Sequence, residues 1–519
     1  MANKIEDLKA AKDGLAIKAE IDRFAQIGWE AIDDDDLQHR LKWLGVFFRK
    51  STPGRFMVRM RIPNGLLNSA QMRVLASIVE KCGEHGVADI TTRQNIQMRG
   101  ILIEDIPEMF AKFRSVGLTS VQSAMDNIRN ITGSPVAGID ANELYDTREL
   151  AIQVQNLLTN NGEGNPAFTN LPRKFNIAIA GCRDNSTHAE INDLAFVPAY
   201  KEDTKETFGF NVLVGGFFSA KRIAAAIPLN VWVSPEDVVT LCEALLIVFR
   251  DRGLRDSRQK SRLMFLIDEW GIEKFRSEVE KQMGKSLEPA ALKDEIEWEK
   301  RDHIGVHPQK QAGLNYVGLQ IPVGRMYAPD MYEFARLAET YGNGDMRLTV
   351  EQNLLITHVS DQQVSALLQE PLLQKFPAEP DNLMRGLVSC TGNQFCPVAI
   401  VETKNRSLAL TKQLAEDYDL PKVVRIHWSG CPNSCAQPQV ADIGFTGCKA
   451  RKNGKVVDGV DIYMGGTVGK DAHLGTCVME KVPCEDLREV IGKLLVQHFG
   501  AIPKPQAIAN NAAELASVS

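Results

Sequence analysis

The sequence predicts an α+β protein, internally duplicated, in which two pseudo-symmetric halves each join a small unit to a larger mixed α/β unit. Three observations carry this. Ordered motifs recur at a nearly constant long offset, hydrophobic periods of two and of about 3.6 residues alternate along the chain, and 519 residues suffice for several domains.

Arg61-Ile62-Pro63-Asn64-Gly65 is echoed by Gln320-Ile321-Pro322-Val323-Gly324 at an offset of 259, and Thr91-Thr92-Arg93-Gln94-Asn95 by Thr349-Val350-Glu351-Gln352-Asn353 at 258. Gly181-Cys182 matches Gly430-Cys431, and Asp193-Leu194-Ala195-Phe196 matches Asp442-Ile443-Gly444-Phe445, both at 249. Val214-Gly215-Gly216 returns as Met464-Gly465-Gly466 at 250. One such match would mean little; an ordered series with steady spacing points to duplication.

Within one copy, Phe56 to Ile62 alternates like a strand, Ser69 to Cys82 has helical spacing, and Ile90 to Ile101 again reads as strand. Val238 to Phe249 reads as a helix, with Ser234 as N-cap, Pro235 at the first position, and Glu236 and Asp237 in the first turn. The resulting plan is a helical extension over 1–54, small units over 55–115 and 312–377, larger units over 120–290 and 385–500, and a tail over 503–519. The charge-rich 285–310 stretch is expected to link the halves, and the Ala-, Asn- and Ser-rich tail is expected to fray.

Charged residues make up 24% and hydrophobic residues 44% of the chain, with a net charge of −6. That balance gives no reason to expect nucleic acid. No apolar run approaches the length of a membrane span. The N-terminus mixes Lys with Glu and Asp, lacks an apolar segment, and is not the Arg- and Ser-rich, acid-poor stretch of a transit peptide. A cytoplasmic enzyme without an integral membrane segment is therefore expected. Seven of the ten cysteines lie between 390 and 484, a clustering that suggests metal ligation before disulfides.

The sharpest chemical signal is Cys390-x5-Cys396 followed by Cys431-x3-Cys435. Four thiolates in two close pairs can hold zinc or an iron–sulfur cluster. The five-residue gap fits structural zinc poorly, since zinc pairs usually sit two to four residues apart, but spacing alone leaves both open. The repeat adds an asymmetry. Cys431 has a counterpart in Cys182, whereas Cys435 aligns with Ser186 and Cys390 with Ile131, so the first copy cannot hold a cluster of its own. It carries cations instead: Arg59, Arg61, Arg93, Arg129 and Lys174 align with Gly318, Gln320, Glu351, Val388 and Val423. Each alone would pass for an ordinary surface charge. Together they suggest a pocket for carboxylates and a small oxyanion.

Ser389-Cys390-Thr391-Gly392-Asn393-Gln394-Phe395-Cys396, Glu402-Thr403-Lys404 and Ser429-Gly430-Cys431-Pro432-Asn433-Ser434-Cys435-Ala436-Gln437 resemble the sirohaem/[4Fe–4S] nitrite and sulfite reductases. Thr91 to Asn95 and Leu171-Pro172-Arg173-Lys174-Phe175-Asn176 resemble the first half of the same family, and the resemblance runs from about residue 30 to 500. It implies that the small units are ferredoxin-like half-domains and the larger ones nitrite/sulfite reductase domains. It further implies that Cys390, Cys396, Cys431 and Cys435 bind one [4Fe–4S] cluster, with Cys435 also the axial ligand of one sirohaem iron. Arg59, Arg129, Lys174 and Asn176 would form the anion pocket, and Arg93, Gln97 and Arg173 would contact sirohaem carboxylates.

The implied activity is the six-electron reduction of nitrite to ammonia by a monomer supplied by reduced ferredoxin or flavodoxin. Sulfite reduction is the nearer alternative and a zinc-binding structural protein the remote one. The sulfite-reducing branch typically carries Lys where this chain has Asn176, which favours nitrite. Gly465 to Lys470 faintly suggests a phosphate loop, but it is one residue short and Asp471 replaces the Ser/Thr. With no nucleotide-binding motif, a small acidic protein is the expected donor, and Arg385, Lys404, Lys449, Arg451 and Lys452 are candidates to dock it. His427 is read as structural.

Overall fold

The computed structural model describes residues 3–202 and 205–505. Two five-stranded antiparallel sheets form from the small units and exchange a strand. The first runs, in spatial order, Val46–Phe47, Phe56–Arg59, Ile96–Ile101, Val87–Ile90 and Arg325–Met326. The second runs Gly305–Pro308, Leu314–Leu319, Leu354–Ser360, Asp345–Leu348 and Leu66–Asn68. The last strand of each belongs to the other half of the chain, so neither sheet is complete without its repeat. Each exchanged strand leads into a helix, Ser69–Lys81 and Ala328–Tyr341; the first starts at a capping box, Asn68 with Gln71, and at the second the Tyr327 N–H donates to Asp330 Oδ2 at 2.9 Å. Such caps satisfy orphan N–H groups that would otherwise fray the first turn. The two halves share one core, in which Ile62, Leu75 and Met98 join Phe334, Met346 and Leu354.

The exchange is locked by a repeated strained turn. Asn64 and Val323 occupy equivalent left-handed positions (φ 56° and 51°), as do Gln94 and Gln352 (53° and 68°). For β-branched Val323 that conformation is strained and persists only where its surroundings over-determine it. The glutamines supply part of that constraint. Gln94 Nε2 donates to the Leu348 carbonyl (3.1 Å) and Gln352 Nε2 to the Ile90 carbonyl (3.0 Å), equivalent bonds that each cross to the other half.

The larger units repeat one topology. In the first, Thr132–Gly133, Ile177–Ile179 and Leu194–Tyr200 are parallel neighbours, and Phe208–Val214, Ile227–Val233 and Glu288–Pro289 add antiparallel. In the second, Leu387–Ser389, Ile426–Ser429 and Ile443–Lys452 are parallel, with Lys455–Met464 and Thr476–Pro483 antiparallel. The loops leaving the parallel strands carry recurring motifs of both copies, Gly181-Cys182 after Ile177–Ile179 and Gly430-Cys431 after Ile426–Ser429. No helix among the described residues is long and apolar enough to cross a membrane.

Several local expectations change. Ile90 to Ile101 is not one strand but the return arm of a hairpin with Val87–Ile90, reversing over Thr91 to Asn95; the Thr91 N–H donates to the Asn95 carbonyl (2.9 Å) and left-handed Gln94 turns the chain. Ser234 precedes a 3-10 turn, Pro235–Asp237, and makes no side-chain cap before the helix Val238–Arg252. The 285–310 stretch is more than a linker, because Glu288–Pro289 and Gly305–Pro308 each extend a sheet. The tail does not fray at its start: Ile502–Pro503 pairs with Tyr418–Asp419, and its residues from 506 lie outside the described ones.

Candidate functional site

A cavity of about 920 Å³ opens where the two halves meet, walled by the first small unit, the first large unit and the loops of the second large unit. It gathers the four cysteines and most of the cations singled out from sequence, but not Arg61, which is buried and donates Nη1 to the Gln122 and Ile128 carbonyls at 2.9 Å each. The first half contributes Arg59, Arg93, Gln97, Arg129, Arg173, Lys174 and Asn176 to its lining, and the second half Cys390, Cys396, Cys431 and Cys435.

The thiols sit on loops held by backbone donors. Cys390 follows the strand Leu387–Ser389, and its Sγ accepts from the N–H groups of Gly392 (3.4 Å) and Gly430 (3.2 Å). Gly392 has φ +66°, and a Cβ there would come within 2.6 Å of Thr403 Oγ1, so a side chain would push the loop off its support. Asn433 Nδ2 donates to Cys431 Sγ at 3.6 Å. Thr92, from the other half, donates its hydroxyl to the Cys435 carbonyl at 2.9 Å. Burial, together with neighbouring Cys435, pushes the Cys390 thiol up to about 12. Such thiols ionise when a metal cation takes the proton's place. Among the described residues no three His, Cys, Asp or Glu side chains converge as ligands of a single metal ion.

The lining contributed by the first half is positive. Burial pushes Arg59 and Arg93 down to about 10 and Arg129 and Lys174 well below their usual ranges, and neighbouring cations add to the depression. None of these four has a carboxylate partner among the described residues. Arg173 is likewise pushed down to about 10 and reaches Asp126 only at 4.0 Å. Arg59 lies over the Phe47 ring at 4.8 Å. Uncompensated, half-buried cations are costly, and the cavity they face is suited to a polyanion that would neutralise them.

Lys174 and Asn176 do not sit on a regular strand as expected. They flank Phe175, which bridges Ile128 just ahead of Ile177–Ile179. The alternation still holds, since Phe175 is fully buried against Phe249 while its two neighbours line the cavity. The Asn176 N–H donates to Asp193 Oδ2 (2.9 Å), and its side-chain Oδ1 is buried without a partner.

Other cations also line the cavity. Arg262 forms a two-pronged pair with Asp193 (3.0 and 2.5 Å) and lies 4.8 Å over Phe217. Arg99, Arg325 and Lys404 surround Asp89. Lys404, expected on a docking surface, is only 1% exposed. Among the other docking candidates Arg385 is tied to Asp302, Lys449 to Asp458, and Lys452 to Glu485 and Asp486. His427 lies outside the cavity, with Nδ1 3.2 Å from the Gln437 carbonyl.

The equivalent place in the other half is filled by protein. Glu351, counterpart of Arg93, is buried between Lys300 (2.6 Å) and His188 (3.1 Å). The 295–303 segment reaches in further: the Trp298 N–H donates to the Arg183 carbonyl (3.1 Å), and Arg301 and His303 hold Asp184 at 3.0 and 3.2 Å. One copy satisfies its charges internally and the other leaves them facing a cavity.

Comparison with known proteins recovers the same duplication. The model described as "Nitrite and sulphite reductase 4Fe-4S domain" matches residues 124–287 and 381–499, and "Nitrite/Sulfite reductase ferredoxin-like half domain" matches 48–116 and 307–373. The chain is 64% identical to a ferredoxin–nitrite reductase of Leptolyngbya laminosa, covering 97% of this chain and 98% of that one. It is 60% identical to one of Synechococcus elongatus, covering 96% and 97%. Among solved structures, the Mycobacterium tuberculosis NirA protein superposes with a TM-score of 0.88 at 31% identity, over 95% of this chain and 93% of that one. Two matched domain pairs and near-full-length relatives place the sequence without ambiguity: it belongs to the nitrite and sulphite reductase family.

Proposed function

We propose that this chain is a ferredoxin-dependent nitrite reductase, carrying out NO2− + 8 H+ + 6 e− → NH4+ + 2 H2O. The observation that carries the reading is the cavity itself, lined by four cysteines from one half and by cations without carboxylate partners among the described residues from the other. Cys390, Cys396, Cys431 and Cys435 would hold a [4Fe–4S] cluster, Cys435 would also reach the iron of a sirohaem, and Arg93, Arg173 and Gln97 would hold that macrocycle's carboxylates. The residues fit these groups: sirohaem carries eight carboxylates, and the unpaired guanidinium groups are the forked donors that carboxylates prefer. When bound, the coupled pair supplies single electrons to a nitrogen ligand.

The rest is the work of side chains. Arg59 and Arg129 present fixed positive charge to nitrite in a partly desolvated site, where preorganised donors stabilise charge that builds up on leaving oxygen. Lys174 Nζ, pressed toward its neutral form by burial and by Arg262, Arg173 and Arg93, readily gives up a proton to an oxygen departing as water. Asn176 offers a neutral amide where an additional ammonium would favour a more highly charged anion.

The test is direct. Purified protein should show the visible absorption of sirohaem and an iron–sulfur centre, and should reduce nitrite with reduced ferredoxin with a higher kcat/KM than sulfite. Raising ionic strength should weaken the donor interaction by screening. A colourless, zinc-containing protein, or efficient direct oxidation of NADPH, would refute the reading.

A further inference from the structure

The Cys390–Cys396 loop is gripped from both halves of the molecule. Arg99, on the strand Ile96–Ile101, stacks over the Phe395 ring at 4.7 Å and donates Nη2 to Thr391 Oγ1 at 3.2 Å. Arg325, on the exchanged strand Arg325–Met326, approaches the same ring at 5.7 Å and donates Nη1 to Gln394 Oε1 at 3.1 Å. Two guanidinium groups from different repeats thus touch three of the five residues between the cysteines. Both are oriented by one carboxylate. Asp89, 2% exposed, pairs with Arg99 Nη1 through Oδ2 and with Arg325 Nε through Oδ1 at 3.1 Å. Lys404, eight residues past Cys396, comes within 3.4 Å of Oδ1 and also donates to the Val323 carbonyl in the strained turn.

We infer that Asp89 is a positioning residue for the cluster-binding loop, acting through Arg99 and Arg325, which it aligns against Phe395. The inference rests on the proposal that Cys390 and Cys396 are cluster ligands. It adds that the first half, which has no cluster of its own, sets the shape and electrostatic surroundings of the cluster in the second. The arrangement has two consequences. A loop clasped at Thr391, Gln394 and Phe395 keeps its cysteine ends in register, as outer-shell contacts do for metal ligands. One carboxylate among three cations also leaves surplus positive charge beside the loop, and Arg325 Nη2 is buried without a partner. A [4Fe–4S] core on four thiolates is net negative and becomes more so on reduction, so nearby positive charge favours the reduced form.

The experiment compares cofactor-loaded wild type with Asp89→Asn, Arg325→Gln and Phe395→Leu, using Asp417→Asn, which breaks the half-buried pair with Arg488 at the C-terminal end of the helix Lys404–Asp417, as a stability control. The readouts are the cluster's midpoint potential, the EPR signal of the reduced cluster, and the rate of iron loss to a chelator. Asp89→Asn should raise the potential and Arg325→Gln should lower it. Phe395→Leu should leave the charge unchanged yet speed iron loss roughly tenfold, the scale of outer-shell contacts. Asp417→Asn should lower thermal stability without altering potential, signal or chelation rate. Should Asp89→Asn not accumulate as folded protein, the lowered potential of Arg325→Gln and the fast iron loss of Phe395→Leu carry the test. Potentials that stay fixed, or move the same way in both charge variants, would overturn the inference while leaving the cluster assignment intact. Wild type without cluster iron or signal would instead overturn the assignment, and this inference with it.

Discussion

Replacing Cys435 by Ser is expected to abolish nitrite reduction, lowering turnover well beyond the roughly 10- to 100-fold loss that follows removal of an outer-shell partner. The thiol is the most exposed of the four candidate ligands and faces the cavity. A hydroxyl is a harder and less acidic ligand than a thiol, poorly matched to iron–sulfur chemistry. The duplication supplies a natural comparison. The first copy carries Ser186 at this position, buried and with its Oγ unpartnered, and that copy shows an internally neutralised interior in place of a cavity. Backbone disruption is an improbable source of the loss, because the Thr92 bond is made to the Cys435 carbonyl and survives the substitution. The measurements are turnover with reduced ferredoxin, iron content, and the visible spectrum of the variant. Normal turnover with both cofactors bound would rule out Cys435 as the shared ligand.

The parts of this site legible in the sequence are those whose chemistry is local. Cys390 with Cys396 and Cys431 with Cys435 are short-range pairs, and the Thr91 to Asn95 and Arg173 to Asn176 segments are contiguous, so their residue types signal function wherever the chain folds. The duplication was equally legible, because motif order survives even where residues diverge. What stayed hidden is long-range. Leu66–Asn68 completes a sheet with Asp345–Leu348, and a three-residue strand carries no signal of a partner so far along the chain. Arg262 joins the cavity through Asp193, and Arg99 and Arg325 through Asp89; each is an unremarkable cation until the fold supplies its carboxylate. Lys404 was misread for the converse reason: a lysine beside a cluster motif suggests a docking surface, but burial against Asp89 removes it from solvent. The hairpin turn at Thr91 to Asn95 was missed because the left-handed residue is Gln94, not glycine, and its stability comes from bonds to Gly133 and Leu348.

Asn176→Lys is expected to raise the ratio of sulfite to nitrite kcat/KM by at least about tenfold, the scale of one additional close charge contact in a desolvated site. Nitrite carries one negative charge and binds through nitrogen, whereas sulfite brings up to two charges and three oxygens. Lys174 and Asn176 flank buried Phe175 and both line the cavity, so a lysine at 176 would place a second ammonium beside the first. The pocket already holds Arg59, Arg129 and Lys174 without carboxylate partners among the described residues, and burial, with repulsion from neighbouring cations adding to it, depresses their proton affinities. A further cation would depress Lys174 more, leaving it less often protonated and weaker as an anion contact for a singly charged substrate; a dianion would offset that repulsion. Nitrite turnover should therefore fall while sulfite turnover rises, a crossing that general damage would not produce. Asn176 makes its fold-supporting bond through the backbone N–H to Asp193, which any residue but proline retains. The measurement is kcat/KM for both anions, wild type and variant, with the same reduced donor. A wild type that preferred sulfite would refute the nitrite assignment, and an unmoved ratio would remove Asn176 from the residues that set selectivity.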